Sequence, residues 1–438
     1  MVTFCGRKEP RKQDSKWSVL VCICATISQA LLMGIAQDFG VFLPVIMNEF
    51  YSSREHTAWI GSIGIAMTFF LSPLTGRLGD RYGSRPISIV GGLFCSLGLI
   101  LTSFVRKLDL FFLTYSVLFG FGVSCCRTSN FLIVTKYFWK RRSLATGIVT
   151  AGAGLGVFTL APLCHLLIAK HGLQGAYRVL GLVTLANCIL PLPYDPNIKE
   201  DEDPGKKKET FYNQGDYNPE ECTAEASSKW RKLIDFSVWK VPLFTVTAAC
   251  STAVGIVTYT GQFHLVRHCE DLNISADKSS KLLMIFGVVS CVTRVVAGRL
   301  CDIRGVKAIY VYQIGVLVIG LAVLMLGVAS TFVHFVVITV FYGIGDGISL
   351  TVGNLLLLTT VEPQKRASAF GLANILISIF TATGAPLAGF IADQAGSYVI
   401  AFYTAGSLGI LFAFLPFILL CAKQETSREE VDSLTVNT

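Results

Sequence analysis

Apolar stretches of roughly 18 to 25 residues recur along the whole chain, each long enough to cross ~30 Å of hydrocarbon as a helix. They fall at about 17–44, 57–77, 86–105, 108–134, 144–168, 175–193, 239–264, 278–300, 307–328, 332–357, 368–391 and 398–421. Barrel strands are excluded, because they need only ~10 residues and alternate in polarity. Composition agrees: 15% of the 438 residues are charged, against about 25% in soluble domains. The expected fold class is an all-α membrane protein with twelve transmembrane helices.

An even number of crossings puts both ends of the chain on one side, and Lys and Arg choose that side. With the N-terminus inside, the inner segments hold 26 of the 37 Lys and Arg and the outer ones 8. That bias predicts cytosolic termini. The formal net charge of +8 thus belongs to short loops. No basic–aromatic patch on a soluble domain exists to read nucleic acid. The opening "MVTFCGRKEPRKQDSK" has no apolar stretch before Trp17 and reads as a cytosolic tail rather than a cleavable signal. The longest polar stretch contains "KEDEDPGKKKETFYNQGDYNPEECTAEASSKWRK" and reads as a flexible linker. The expected division is a tail (1–16), an N-terminal six-helix bundle (17–193), a linker (194–238), a C-terminal six-helix bundle (239–421) and a tail (422–438). Most of the fourteen cysteines fall in apolar runs, where Cys is a small hydrophobe. Neither a metal site nor a disulfide framework is indicated by their spacing.

Two short phrases repeat. "GRLGDRYG" begins at Gly76 and "GRLCDIRG" at Gly298, 222 residues on, each in an inner loop after an apolar run. "RRSLATG", ending at Gly147, and "KRASAFG", ending at Gly371, stand 224 apart. Two loop pairs at nearly one offset argue for a six-plus-six duplication, a feature of one large transporter fold. In the first phrase, Gly76 and Gly83 allow close approach and a tight turn. Asp80 can pair with a neighbouring arginine or helix N-terminus. Arg81 and Arg85 anchor to lipid headgroups. Asp302 is the counterpart of Asp80 in the second phrase.

Gly76, Asp80, Arg81, Gly83 and Arg85 resemble the loop 2–3 signature of the major facilitator superfamily, with Ser84 where a basic residue is common. "KYFWKRRSLATGIVTAGAGLG" (136–156) is similar to the signature of the monocarboxylate transporter family within it, through Tyr137, Phe138, Lys140, Arg141, Arg142, Leu144, Ala145, Gly147, Ala151, Gly152 and Gly156. "DFGVFLP" (38–44) and "WIGSIGIAM" (59–67) resemble that family's first two spans. The signature near the start of span 1 is degraded: "DSKWS" keeps Asp14 and Trp17. The resemblance covers all twelve spans. It implies the major facilitator fold of two six-helix halves and a plasma-membrane solute carrier. The cargo would be a monocarboxylate, usually carried with a proton. Some relatives carry aromatic amino acids, thyroid hormones, creatine or carnitine without obvious proton coupling. Some members also travel with a single-span accessory glycoprotein.

An ionisable group inside a span costs roughly 2.5–3.5 kcal/mol on insertion scales and is a functional candidate by default. Arg294 sits four residues before Gly298, about 6 Å along the helix. By resemblance it matches the span-8 arginine that engages the substrate carboxylate, a role suited to a guanidinium's bidentate fork. Alternatively it snorkels or braces the 8–9 loop. Asp346, between Gly345 and Gly347, lies near mid-membrane and matches an aspartate thought to interact with that arginine. It forms either an exchangeable pair with Arg294 or a static buried one. Arg127 lies ten residues before Tyr137, about 15 Å from the inner loop. It is either a second anion-binding group or the ion-pair partner of Asp38 or Asp346. Gln37 and Ser290 stand where proton-coupled members carry Lys and Asp, so the groups that would pass the proton are missing unless Asp38 or Asp346 substitutes, and the resemblance does not by itself imply simple lactate–proton symport. Tyr259, His264 and Asn374 could line a cavity or merely bond neighbouring helices. His264, at a span's outer end, fits an interfacial residue.

Enzyme chemistry has no motif here: no HExxH, GxSxG or phosphate loop. The missing phosphate loop also argues against an ATP-driven pump, and no cofactor or metal is expected. A non-transporting membrane sensor or scaffold would need a large structured tail, against the short "AKQETSREEVDSLTVNT" after Cys421. The expected partners are a small organic anion or zwitterion and the lipid bilayer.

Overall fold

A computed structural model describes residues 11–138, 142–195, 198–199, 236–301, 303, 305–361 and 366–435. Residues 1–10, Arg141, Asp302 and most of the 194–238 linker lie outside the described residues, as do the side chains of Asp80 and Arg142.

The chain is built of helices, as it must be where no water is at hand to satisfy a backbone amide. Among the described residues, ten helices are long and apolar enough to cross a membrane, and a bent pair makes up to eleven. That pair is α3 (Arg54–Phe70) and the start of α4 (Ser72–Tyr82), which meet at 43°. Pro73 is the cause: it has no N–H to give the carbonyl of Phe69, so the ladder opens there. The expected spans 5 and 6 run together as α8 (Arg142–Thr184). Its 43 residues would be about 65 Å long if straight, the length of two crossings. Gly172, at φ 68° and ψ −179°, breaks it in its C-terminal half.

The first expected run, 17–44, proves to be two helices, α1 (Lys16–Gln37) and α2 (Phe39–Phe50), joined at Asp38. The capping box of Ser15 and Ser18 starts α1. Helix α2 passes through Pro44 and the polar Asn48–Glu49 and stops only where Tyr51 turns left-handed. Next come α5 (Ser84–Thr102), the short α6 (Leu108–Phe111), a π-helical stretch Phe112–Phe119, α7 (Gly120–Tyr137) and, after α8, α9 (Ala186–Ile189). The second half holds α10 (Pro242–Asp271), α11 (Ala276–Cys301), α12 (Ala308–Leu326), α13 (Phe332–Thr359), α14 (Arg366–Ala395) and α15 (Val399–Thr435).

The duplication is written into the backbone. Among the described residues, four glycines have positive φ: Gly83 and Gly305, 222 apart, and Gly172 and Gly396, 224 apart. Of the three non-glycine residues with positive φ among the described residues, Asp14, Tyr51 and Asn273, the last two are again 222 apart. Near the loop phrases, a Cβ on Gly76 would meet Thr128 at 3.6 Å, and one on Gly298 would meet Thr351 at 3.9 Å. These are ordinary contacts, so Gly76 does not serve the close approach expected of it. Gly83 does serve the expected turn.

The halves meet along two seams. In one, α8 packs on α11 so closely that a Cβ on Gly154 would lie 2.8 Å from the carbonyl oxygen of Gly287. In the other, α3 packs on α14, and Gly389 makes room for the backbone of Arg54 and Glu55. Within the first half, Gly152 and Gly156 press on the backbone of α1, as expected of that small-xxx-small pair.

The two ends of the molecule differ. At the linker side, Trp17 donates to the carbonyl of Pro193 (3.1 Å), and Tyr137 donates to that of Asp195 (3.2 Å). At the opposite side Arg54, from the first half, reaches only into the second. It pairs with Asp271 at 2.9 Å and Asp393 at 3.9 Å, donates to the carbonyl of Ala392, and stacks on Tyr398 at 4.9 Å.

Candidate functional site

A cavity lies between the halves. The first half supplies Gln29, Met33, Gln37, Phe69, Arg127, Phe131, Thr150 and Ala153. The second supplies Ser251, Val254, Gly255, Thr258, Tyr259, Arg294, Tyr312, Ser349, Leu350, Gly353, Asn354, Asn374 and Ile377. It sits nearer the linker side: Thr150 is eight residues into α8 and Asn374 eight into α14. The Arg54 cluster closes the opposite end.

Helix spacing explains the lining. Gln29, Met33 and Gln37 are every fourth residue of α1 and share one face. Arg127 and Phe131 do the same on α7, as do Leu350 and Asn354 on α13. Gln29, Phe69, Phe131 and Asn354 were not singled out in the sequence, since uncharged residues in an apolar run carry no alarm. The eight-residue spacing of the two glutamines in α1 was the available signal.

Arg294 is 2% exposed and heavily engaged. Its Nη2 donates to Asp346 Oδ2 at 3.0 Å, and its Nε donates to Ser290 Oγ at 3.1 Å. The Ser290 hydroxyl in turn donates to the same Asp346 oxygen at 2.6 Å. The Nη1 of Arg294 crosses to the first half and donates to the carbonyl of Thr150 at 2.7 Å. Arg294 therefore ties α11 to α13 and to α8 at once. Asp346 and Ser290, both fully buried, do not line the cavity; they stand behind the guanidinium and fix it.

Arg127 is different. It is 7% exposed, and no hydrogen bond or ion pair from a described residue reaches it. Neither Asp38 nor Asp346 is its partner. Its guanidinium lies over the rings of Phe69 and Phe131, at 4.6 and 5.4 Å from their centroids.

Gln37, Tyr259 and Asn374 line the cavity too, and Gln37 Oε1 and Asn374 Nδ2 have no hydrogen-bond partner. Two other candidates lie elsewhere. Asp38 is packed at the α1–α2 joint near Tyr115 and Cys164, with neither carboxyl oxygen hydrogen-bonded. His264 bonds the carbonyl of Ala385 through Nε2 at 2.8 Å and packs against Tyr398. That is a helix-to-helix contact in the interior, not the interfacial setting a span end suggests.

The loop residues are spread along the linker side. Arg81 lies over the ring of Tyr82, Arg85 is exposed, and Gly147 has open space beside it. Tyr137 is fully buried and also accepts, through its carbonyl, the backbone N–H of Asp14. Among the described residues no group of three or more His, Cys, Asp or Glu is placed to hold a metal ion.

The sequence matches the family model of the Major Facilitator Superfamily over residues 20–303 and 268–435. It is 27% identical over 425 residues to Monocarboxylate transporter 10 of Mus musculus, covering 94% of this chain and 81% of that protein. Monocarboxylate transporter 10 of Homo sapiens is 27% identical over 440 residues, covering 97% and 84%. Monocarboxylate transporter 4 of Gallus gallus is 28% identical over 408 residues, covering 92% and 81%.

Proposed function

The chain belongs to the major facilitator superfamily and is a multi-pass membrane transporter similar to its monocarboxylate transporters; from the charge on its central cavity we propose that the cargo is an organic monocarboxylate. The observation that carries this is the imbalance of the lining. Two guanidiniums reach the cavity and no Asp or Glu does, among the described residues. One of the two, Arg294, is already neutralised by Asp346. One uncompensated positive charge suits one carboxylate. A zwitterionic amino acid would also need an acceptor for its ammonium, and the lining offers only amides, hydroxyls and backbone. The rings of Tyr259 and Tyr312 favour a carboxylate with a flat or apolar body over a small polar one.

The carrier works by alternating access, with 17–193 and 239–421 as the two rocking bundles and 194–238 joining them. Both termini face the cytosol at the plasma membrane, in keeping with the Lys and Arg bias. Gln37 and Ser290 give no titratable side chain at the two positions where proton-coupled relatives are expected to carry one, so transport runs down the cargo's own gradient. Delivery to the surface can be checked with and without a single-span accessory glycoprotein.

The test is uptake of labelled lactate, pyruvate, aromatic amino acids and creatine into cells making the protein, at neutral and acidic external pH. Saturable uptake of a monocarboxylate, little changed by acid, is the expected result. Uptake of an amino acid or creatine alone would overturn the cargo, and strong acid stimulation the absence of coupling.

A further inference from the structure

Resting on the monocarboxylate reading, we propose that Arg127, rather than Arg294, is the primary anchor of the cargo's carboxylate, and that the cargo lies with its acid end on the first half and its body against the second. A guanidinium has five N–H donors. Arg294 spends three of them on Ser290, Asp346 and Thr150, and its charge is met by Asp346. Arg127 spends none on the described residues, although it is more than nine-tenths buried on the cavity wall. An unpaired buried charge is costly, and a mobile anion is the partner that removes the cost.

The rings of Phe69 and Phe131 prepare it for that. Stacking uses the face of the guanidinium and leaves its in-plane N–H fork for a carboxylate. The fork is also held before the cargo arrives, so little rotamer freedom is lost on binding.

The duplication supplies the orientation. Thr128 and Thr351 occupy equivalent places beside Gly76 and Gly298, so the counterpart of Arg127 is Leu350. Both residues line the cavity. One wall carries a free cation where the other carries an aliphatic side chain, and that second wall also supplies Val254 and Ile377. A carboxylate with an apolar body fits across these walls in one direction only.

The experiment compares wild type with Arg127→Gln and Arg127→Lys, normalised to the amount at the cell surface. It reads the KM of a labelled monocarboxylate and competition by that acid's uncharged carboxamide. Arg127→Gln is expected to raise KM about tenfold or more and to abolish the preference for acid over amide. Arg127→Lys keeps the charge but not the fork, and should raise KM about threefold while keeping the preference. An unchanged KM in either variant, or an equal loss for acid and amide, overturns the proposal; the second outcome would mark Arg127 as structural. If the Gln variant fails to reach the surface, the Lys variant carries the test alone. Wild type that takes up no monocarboxylate would instead overturn the cargo reading.

Discussion

Asp346 accepts from two donors through a single oxygen, Oδ2, while Oδ1 has no hydrogen-bond partner. The whole pair therefore hangs on one atom, and removing it leaves the Arg294 charge buried 2% exposed without compensation. Asp346→Ala is expected to cost about 3–5 kcal/mol, and Ser290→Ala only about 1–3 kcal/mol. Melting of the purified carrier in detergent should rank them so; equal losses would mean that Asp346 does not act as the counter-ion. At this scale the ionisable residues were legible and their partners were not. A charge in an apolar run announces itself by its cost, which is how Arg294, Asp346 and Arg127 stand out. What it touches depends on helices far away in sequence. Arg127 had two carboxylates on offer and is instead seated on two phenyl rings. Asp38, adjacent in sequence to Gln37, turns away from the cavity because neighbouring residues of a helix face different ways.

Between elements, the seam of α8 and α11 is held at backbone distance by paired glycines. A Cβ on Gly287 would fall 2.5 Å from the amide nitrogen of Phe158 and 2.6 Å from the carbonyl oxygen of Gly154. Gly287→Val must push the halves apart, for about 1–3 kcal/mol of overpacking. Because Arg294 reaches Thr150 across this same seam, uptake should fall more than stability does. A variant that melts and transports like wild type would show that the seam yields freely. Apolar length located these helices but misplaced their ends. The expected first span stops at Pro44, whereas α2 continues to Phe50, because a polar residue at a membrane surface does not break a helix and a left-handed one does. The bend at Pro73 was readable from the proline inside the expected run 57–77. The π-helical stretch Phe112–Phe119 was not, since nothing in "FLTYSVLF" distinguishes it from an α-helix.

Taken whole, the molecule is shut at the side opposite its linker by the seam of α3 and α14, with one arginine at its centre. Arg54 gathers Asp271, Asp393, the Ala392 carbonyl and the Tyr398 ring, all from the other half. The pairs are partly exposed, so each is worth about 0.2–1 kcal/mol. Arg54→Ala should shift the balance towards the state open on that side by about fivefold. Spin labels at Tyr51→Cys and Asp277→Cys, one on each half, should then report a longer or broader distance; an unaltered distribution would show that Arg54 is no latch. The six-plus-six plan was legible in two loop phrases, and the backbone repeats it at Gly83 and Gly305, Gly172 and Gly396, and Tyr51 and Asn273. Those corners have a consequence for how the carrier came to be selective. Corners that serve a fold twice must stay alike, so divergence after the doubling was left to the walls, where the counterpart of Arg127 is Leu350. A vestibule of two like walls would be blind to which way round its passenger travels. This one can tell head from tail.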